Sequence, residues 1–119
     1  MSEYETSFDD KIIKLNIGGT MFHTTKKTLT NTPEPNYFHH IFSERWNTLF
    51  DENGCFFIDR NGEYFKPILN YLRTGILSIP EKIPQHCVFL ESDFYNIDLI
   101  NIGFSQGILR EFKLNNFND

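Results

Sequence analysis

Two adjacent glycines, Gly18 and Gly19, follow the apolar positions Ile13, Leu15 and Ile17 in the stretch KLNIGGTMFH. A glycine pair in that place can cradle a phosphate or close a tight turn. A phosphate loop needs G-x-x-x-x-G-K-[ST] and a dinucleotide site needs G-x-G-x-x-G, each running into a helix. After Gly19 the next glycine is Gly54. The residues that follow Gly19 alternate as a strand does, so no helix N-terminus is aimed at the pair. The glycines therefore read as a hairpin turn, where both positions accept φ > 0.

The other candidates for chemistry are four histidines and two cysteines. His39 and His40 are neighbours. On a helix their side chains diverge by roughly 100°, which does not suit one metal ion. His86 and Cys87 meet the same objection. No Cys–His or Ser–His–Asp arrangement can be assembled from spacing. The reading is therefore of no catalytic residue, no metal ligand and no cofactor. Cys55 and Cys87 lie far apart and outside any C-x-x-C, and read as reduced thiols. Aromatic residues make up 16% of the chain, with 13 Phe. Most of these belong to the core, but Phe38, Phe50, Phe94 and Tyr95 fall at element ends, where exposed members would form a protein-binding patch.

The elements that hold these residues follow from periodicity. Ile13, Leu15 and Ile17 alternate with Lys14 and Asn16, a half-buried strand over 11–17. Met21–Thr25 returns as its partner, with Phe22 and Thr24 on one face and Met21 and His23 on the other. KKTLTN (26–31) suits one helical turn, and NTPEPN (31–36) a loop. Tyr37–Glu44 reads as a short helix with Phe38, Ile41 and Phe42 at i, i+3, i+4. DENG (51–54) is a turn and CFFID (55–59) a short strand. The clearest helix is RNGEYFKPILNYLRTG (60–75), with Phe65, Ile68, Leu69 and Leu72 in one stripe, Asn61 as N-cap and Gly75 as stop. Its Pro67 predicts a late start, placing the proline in the first turn, or a kink. SIPEKIP (78–84) is a loop. Two short helices are expected over 85–94 and 96–102, and a further one from Ser105 with Ile108 and Phe112 on one side.

The chain has 119 residues, a size that suits one domain. Its 39% hydrophobic and 23% charged content is globular. A net charge of -5 argues against a general grip on nucleic acid or anionic membrane. No run of about 18 apolar residues occurs. The acidic start lacks the basic and apolar regions of a secretory signal, so a cytoplasmic setting is expected.

Three stretches in series carry a resemblance: KLNIGGTMFHTTKKTLT (14–30), FFIDRNGEYFKPILNYLRTG (56–75) and FLESDFYNIDLI (89–100). They resemble the BTB/POZ domains of the potassium-channel tetramerisation (KCTD-like) type. That family's pattern runs N-[VI]-G-G, T-L-T, I-D-R, I-L-N-Y-L-R-x-G and then E-A-x-[FY]-Y-x-[IL]. Only Ser92 departs from the last motif, at a place usually held by alanine. The resemblance divides the chain into a disordered lead (1–10), a BTB/POZ tetramerisation-type domain (11–102) and a short, partly helical tail (103–119).

The resemblance implies a small α/β domain, with a three-stranded sheet flanked by short helices. It also implies a homo-oligomeric ring, a tetramer or pentamer, with Asp59, Arg60 and Arg73 in or near the subunit contacts; the alternative is that Asp59 and Arg60 set up the helix start while Arg73 is solvated. Many soluble members are cullin-3 adaptors in ubiquitin ligases. Carried over by position, the cullin-binding candidates are Phe38, Phe42 and the following loop, with Phe94, Tyr95 and Asn96. The cysteines through which some channel members hold zinc are absent, so no zinc is expected. Soluble members usually carry a second, substrate-capturing domain, whereas here only 103–119 follow the match. That leaves open a self-assembly unit without a cullin, or a modulator or decoy of related BTB proteins. A channel cytoplasmic domain is a third reading, disfavoured by the lack of a membrane segment.

Overall fold

A computed structural model describes residues 11–43 and 49–99. The expected lead (1–10), Glu44, residues 100–102 of the expected last short helix and the tail (103–119) lie outside the described residues. The chain forms two compact units, Met1–Gly62 and Glu63–Asp119.

The first unit is built on a three-stranded mixed sheet. Strand β1 (Ile12–Ile17) pairs antiparallel with β2 (Thr20–Thr25), Ile17 opposite Thr20 across the glycine turn. Gly18 and Gly19 have φ of 60° and 100°, as the two-residue turn requires. Two short helices follow, α1 (Lys26–Leu29) and α2 (Tyr37–Ser43). The Thr25 hydroxyl caps α1 by accepting from the Thr28 N–H at 3.1 Å. The chain then returns as β3 (Cys55–Ile58), parallel to β1, so the strand order is β2-β1-β3. A parallel pair cannot be joined by a tight turn, and the connection through α1 and α2 supplies the crossover. Ile13, Leu15, Ile17, Phe22, Thr24, Phe56 and Ile58 are buried, while Lys14, Met21, His23 and Phe57 are exposed. The face assignment read from alternation holds for β2.

The second unit carries most of α3 (Gly62–Thr74) and all of α4 (Gln85–Tyr95). The stripe Phe65, Ile68, Leu69 and Leu72 is buried as its spacing requires. Phe65 meets Tyr95 of α4 with ring centroids 4.9 Å apart. Gly75, at φ 79°, ends α3, and its N–H donates to the Tyr71 carbonyl at 2.7 Å.

Two expectations are corrected. The helix does not begin late: it starts at Gly62, directly after Asn61, and Pro67 lies inside it. Pro67 is the sixth residue of the helix and has no N–H to donate to the Glu63 carbonyl, the i→i−4 partner of that position. Nor does a helix begin at Asn96. Asn96 adopts the left-handed conformation, φ 57° and ψ 45°, and ends α4. Its N–H donates to the Asp93 carbonyl at 3.1 Å and that of Ile97 to the Ser92 carbonyl at 2.9 Å. This pair of bonds is a Schellman closure. Residues 97–99 are not helical, and Ile97 and Leu99 are buried.

Candidate functional site

The glycine turn is held against a second sequence motif, I-D-R (58–60). The Gly19 N–H donates to the Asn16 side-chain oxygen at 2.8 Å and the Gly18 N–H to the Ile58 carbonyl at 2.9 Å. The Arg60 N–H donates to that same Ile58 carbonyl at 2.9 Å. A Cβ at Gly18 would collide with the Arg60 carbonyl oxygen, so the backbone there approaches too closely for any side chain. Asp59 is exposed and Arg60 half-buried on this locked segment. Gly62 is as tightly held, since a Cβ there would strike the Thr20 side chain and come 2.8 Å from the Ile17 carbonyl oxygen. The first two proposed interface residues thus sit on rigid backbone beside the hairpin. Arg73 lies exposed in the last turn of α3, where a cation suits the helix dipole.

The loop into α2 is organised by Asn36, which is 3% exposed. Its side-chain oxygen accepts from the N–H groups of Phe38 (2.8 Å) and His39 (3.3 Å). Its amide nitrogen donates to the Leu29 carbonyl (2.9 Å) and the Thr32 hydroxyl (3.1 Å). Its own N–H donates to His39 Nδ1 at 2.9 Å. One buried side chain therefore caps α2 and ties it to the end of α1. Sequence reading took 31–36 as a plain loop and missed this role; an Asn just before an apolar helical triplet was the available signal. Phe38 is fully buried, which corrects the expectation of an exposed patch around it. Phe42 is half-buried, with Lys26 Nζ 5.6 Å from its ring centroid.

At the end of α4 the candidates part. Tyr95 is fully buried, whereas Phe94 is 40% exposed and stacks edge-on against it at 4.9 Å. Asn96 is exposed, and its backbone sets the turn beyond the helix. Leu90, one turn before Phe94, is 53% exposed. The pair forms an apolar stripe at i, i+4 on solvent, ended by Asn96. Leu90 was not among the sequence candidates, although its spacing from Phe94 could have drawn it in.

A second exposed apolar set lies on the outer face of the sheet. Asn16 pairs with Met21 on one side and with Phe57 on the other, so Met21, Asn16 and Phe57 form one row across the strands. Met21 and Phe57 are about half exposed, and Ile12, farther along β1, more so. Lys14 stands between, level with His23 and Cys55. Strict alternation implied this outward face, but not that it would carry large apolar side chains.

Titratable side chains meet where α3 and α4 pack within the second unit. The Cys87 sulfur lies 3.7 Å from His86 Nε2. The Tyr64 phenol is raised above its usual range, first by its hydrogen bond to Cys87 and then by the charges of Cys87, Glu63 and Glu91. Burial raises the phenols of Tyr37 and Tyr71, with Asp98 adding to the second. Among the described residues no group of three or more His, Cys, Asp or Glu could hold a metal ion, and no helix is long and apolar enough to cross a membrane.

A family model described as BTB/POZ domain matches residues 13–103. Human BTB/POZ domain-containing protein KCTD9 is 42% identical over 88 residues, covering 72% of this chain and 23% of its own length. Human BTB/POZ domain-containing protein KCTD5 is 40% identical over 88 residues, covering 73% of this chain and 38% of its own length. A protein of Dictyostelium discoideum is 39% identical over 93 residues, 78% of this chain and 12% of that protein. The chain thus spans well under half the length of these relatives. The motif series, the hairpin–crossover–strand sheet and the match agree, and the chain belongs to the BTB/POZ family, in its potassium-channel tetramerisation branch.

Proposed function

We propose that this chain is a non-enzymatic, homo-oligomeric interaction module that binds cullin-3 and serves as an adaptor in a cytoplasmic ubiquitin ligase. The observation that carries the reading is the Leu90–Phe94 stripe, held on solvent at the end of α4 beside the Asn96 turn. It supplies what a docking surface needs, an apolar anchor on a rigid element with polar neighbours, here Asp93 and Asn96. Phe42 is the candidate of the first unit whose side chain reaches solvent; Phe38 and Tyr95 support their neighbours from within.

The test is the solution mass of the purified chain by light scattering, alone and with a cullin-3 N-terminal fragment. A multimer that gains mass supports the adaptor. Phe94→Ala should weaken that gain by about 2 kcal/mol or more while leaving the melting curve nearly in place. A multimer that ignores the fragment refutes cullin-3 binding. The second reading, a self-assembly unit without a cullin, is favoured by the exposed Met21 and Phe57 on the sheet, and that outcome would leave it standing.

A further inference from the structure

We infer that Thr32 is a phosphorylation site for a proline-directed protein kinase, and that the phosphoryl group disturbs the cap of α2. The inference depends neither on cullin-3 binding nor on self-assembly.

Sequence and place in the fold select Thr32 together. It is the only Ser or Thr of the chain followed directly by proline. The groove of a proline-directed kinase leaves the N–H after the target residue without an acceptor, and proline has no N–H to leave. Thr32 lies in the loop between α1 and α2, where Asn31, Pro33, Glu34 and Pro35 are all exposed. A residue before proline is pushed out of the α region. Thr32 and Glu34 precede Pro33 and Pro35, so both favour the extended backbone that a substrate groove takes.

The same hydroxyl holds structure. It donates to the Glu34 carbonyl at 2.6 Å and accepts from Asn36 Nδ2 at 3.1 Å. Asn36 is buried, and its side-chain oxygen accepts from the Phe38 and His39 N–H groups to cap α2. A half-buried loop hydroxyl is thus a partner of the side chain that starts a helix.

In the transfer the Thr32 oxygen attacks the γ-phosphorus of ATP. The bond from that phosphorus to the β,γ-bridging oxygen breaks, ADP leaves with the bonding pair, and the hydroxyl proton passes to the kinase's base. The phosphorylated residue has no hydrogen left to donate to the Glu34 carbonyl. It brings about −1.5 to −2 units of charge to a place where that carbonyl oxygen stands 2.6 Å away and a carboxylate lies two residues along the chain. Negative groups then face one another, the loop must shift, and Asn36 loses the neighbour that positions its amide. The cap of α2, the helix that carries Phe42, is weakened with it.

The experiment incubates the full chain with magnesium ATP and a proline-directed kinase of the mitogen-activated class, and reads the site by peptide mass spectrometry. Wild type and Thr32→Ser should each take a phosphoryl group on residue 32, and Thr32→Val should take none there. Pro33→Ala should slow the transfer by about tenfold or more. Circular dichroism confirms that each variant is folded. The phosphorylated chain should melt about 5 °C or more below the unmodified one. A folded wild type that takes no phosphate on residue 32 overturns the site. Transfer as fast in Pro33→Ala overturns the proline-directed reading. Full transfer with an unchanged melting curve overturns the effect on α2.

Discussion

Replacing Asn36 with alanine removes four hydrogen bonds in one step. Two are accepted by the side-chain oxygen from Phe38 and His39, and two are donated to the Leu29 carbonyl and the Thr32 hydroxyl. Loss of a capping side chain alone costs about 0.5–2 kcal/mol. The Leu29 carbonyl and Phe38 N–H bonds are buried, and a buried polar group left without its partner adds about 1–3 kcal/mol. Water reaching the outer part of the loop recovers some of this, so the expected total is about 3 kcal/mol. For a domain of this size that lowers the melting temperature by roughly 10–20 °C. Asn36→Ser keeps a cap oxygen but loses the amide donors, and should fall between wild type and alanine. Thermal melts followed by circular dichroism, with urea titrations for the free energies, read both variants. If Asn36→Ala melts within a degree or two of wild type, the loop is not organised by this side chain and the account of α2 is wrong.

The glycine turn offers a paired test in urea titrations. Gly18 and Gly19 both have positive φ, but only at Gly18 would a Cβ meet other backbone; Gly18→Ala should cost well over the roughly 1 kcal/mol expected of Gly19→Ala, and equal losses would refute the close approach to Arg60. Phe65→Ala should cost about 3–5 kcal/mol because Phe65 is fully buried, against less than about 1 kcal/mol for the partly exposed Phe94→Ala; a similar loss from both would mean that Phe94 is a core residue. The Tyr71 hydroxyl donates to the Asp98 carbonyl at 3.3 Å and its phenol is raised from 10.0 by burial and by Asp98. Stability from the neutral phenol is therefore complete below pH 10 and is lost as pH rises through the higher folded value. Stability measured from pH 9 to 12 should fall less steeply in Tyr71→Phe than in wild type, and identical slopes would exclude the contribution.

The parts of this fold that could be read from the sequence are those where one periodicity has one structural meaning. Alternation at Ile13, Leu15 and Ile17 and the Phe65–Leu72 stripe named both the element and its buried face. Phe38 and Tyr95 were read as candidates for exposure from their places at element ends, and both are buried. Spacing says which residues share a face but not what covers it. Asn96 shows a different ambiguity. Asparagine is a good residue both for starting a helix and for the left-handed turn that stops one. The bonds from Asn96 and Ile97 back to Asp93 and Ser92 decide for the stop, and no local pattern shows them.

The motifs of the family resemblance gain a physical reason from the contacts between them. N-I-G-G and I-D-R are far apart in sequence, yet Gly18 and Arg60 donate to one carbonyl, that of Ile58, and Gly18 has no room for a side chain against the Arg60 backbone. Gly62, two residues on, has no room against Thr20 and Ile17. These positions are coupled: a side chain at either glycine would push the β1–β2 turn away from the chain leaving β3. Asp59 and Arg60 are held on that same segment. If they contribute to subunit contacts, their precision comes from the glycines, and Gly18→Ala should loosen assembly even at temperatures where the variant remains folded. A folded Gly18→Ala that assembles as wild type does would place Asp59 and Arg60 outside the interface, or show that the segment keeps its position without the close approach.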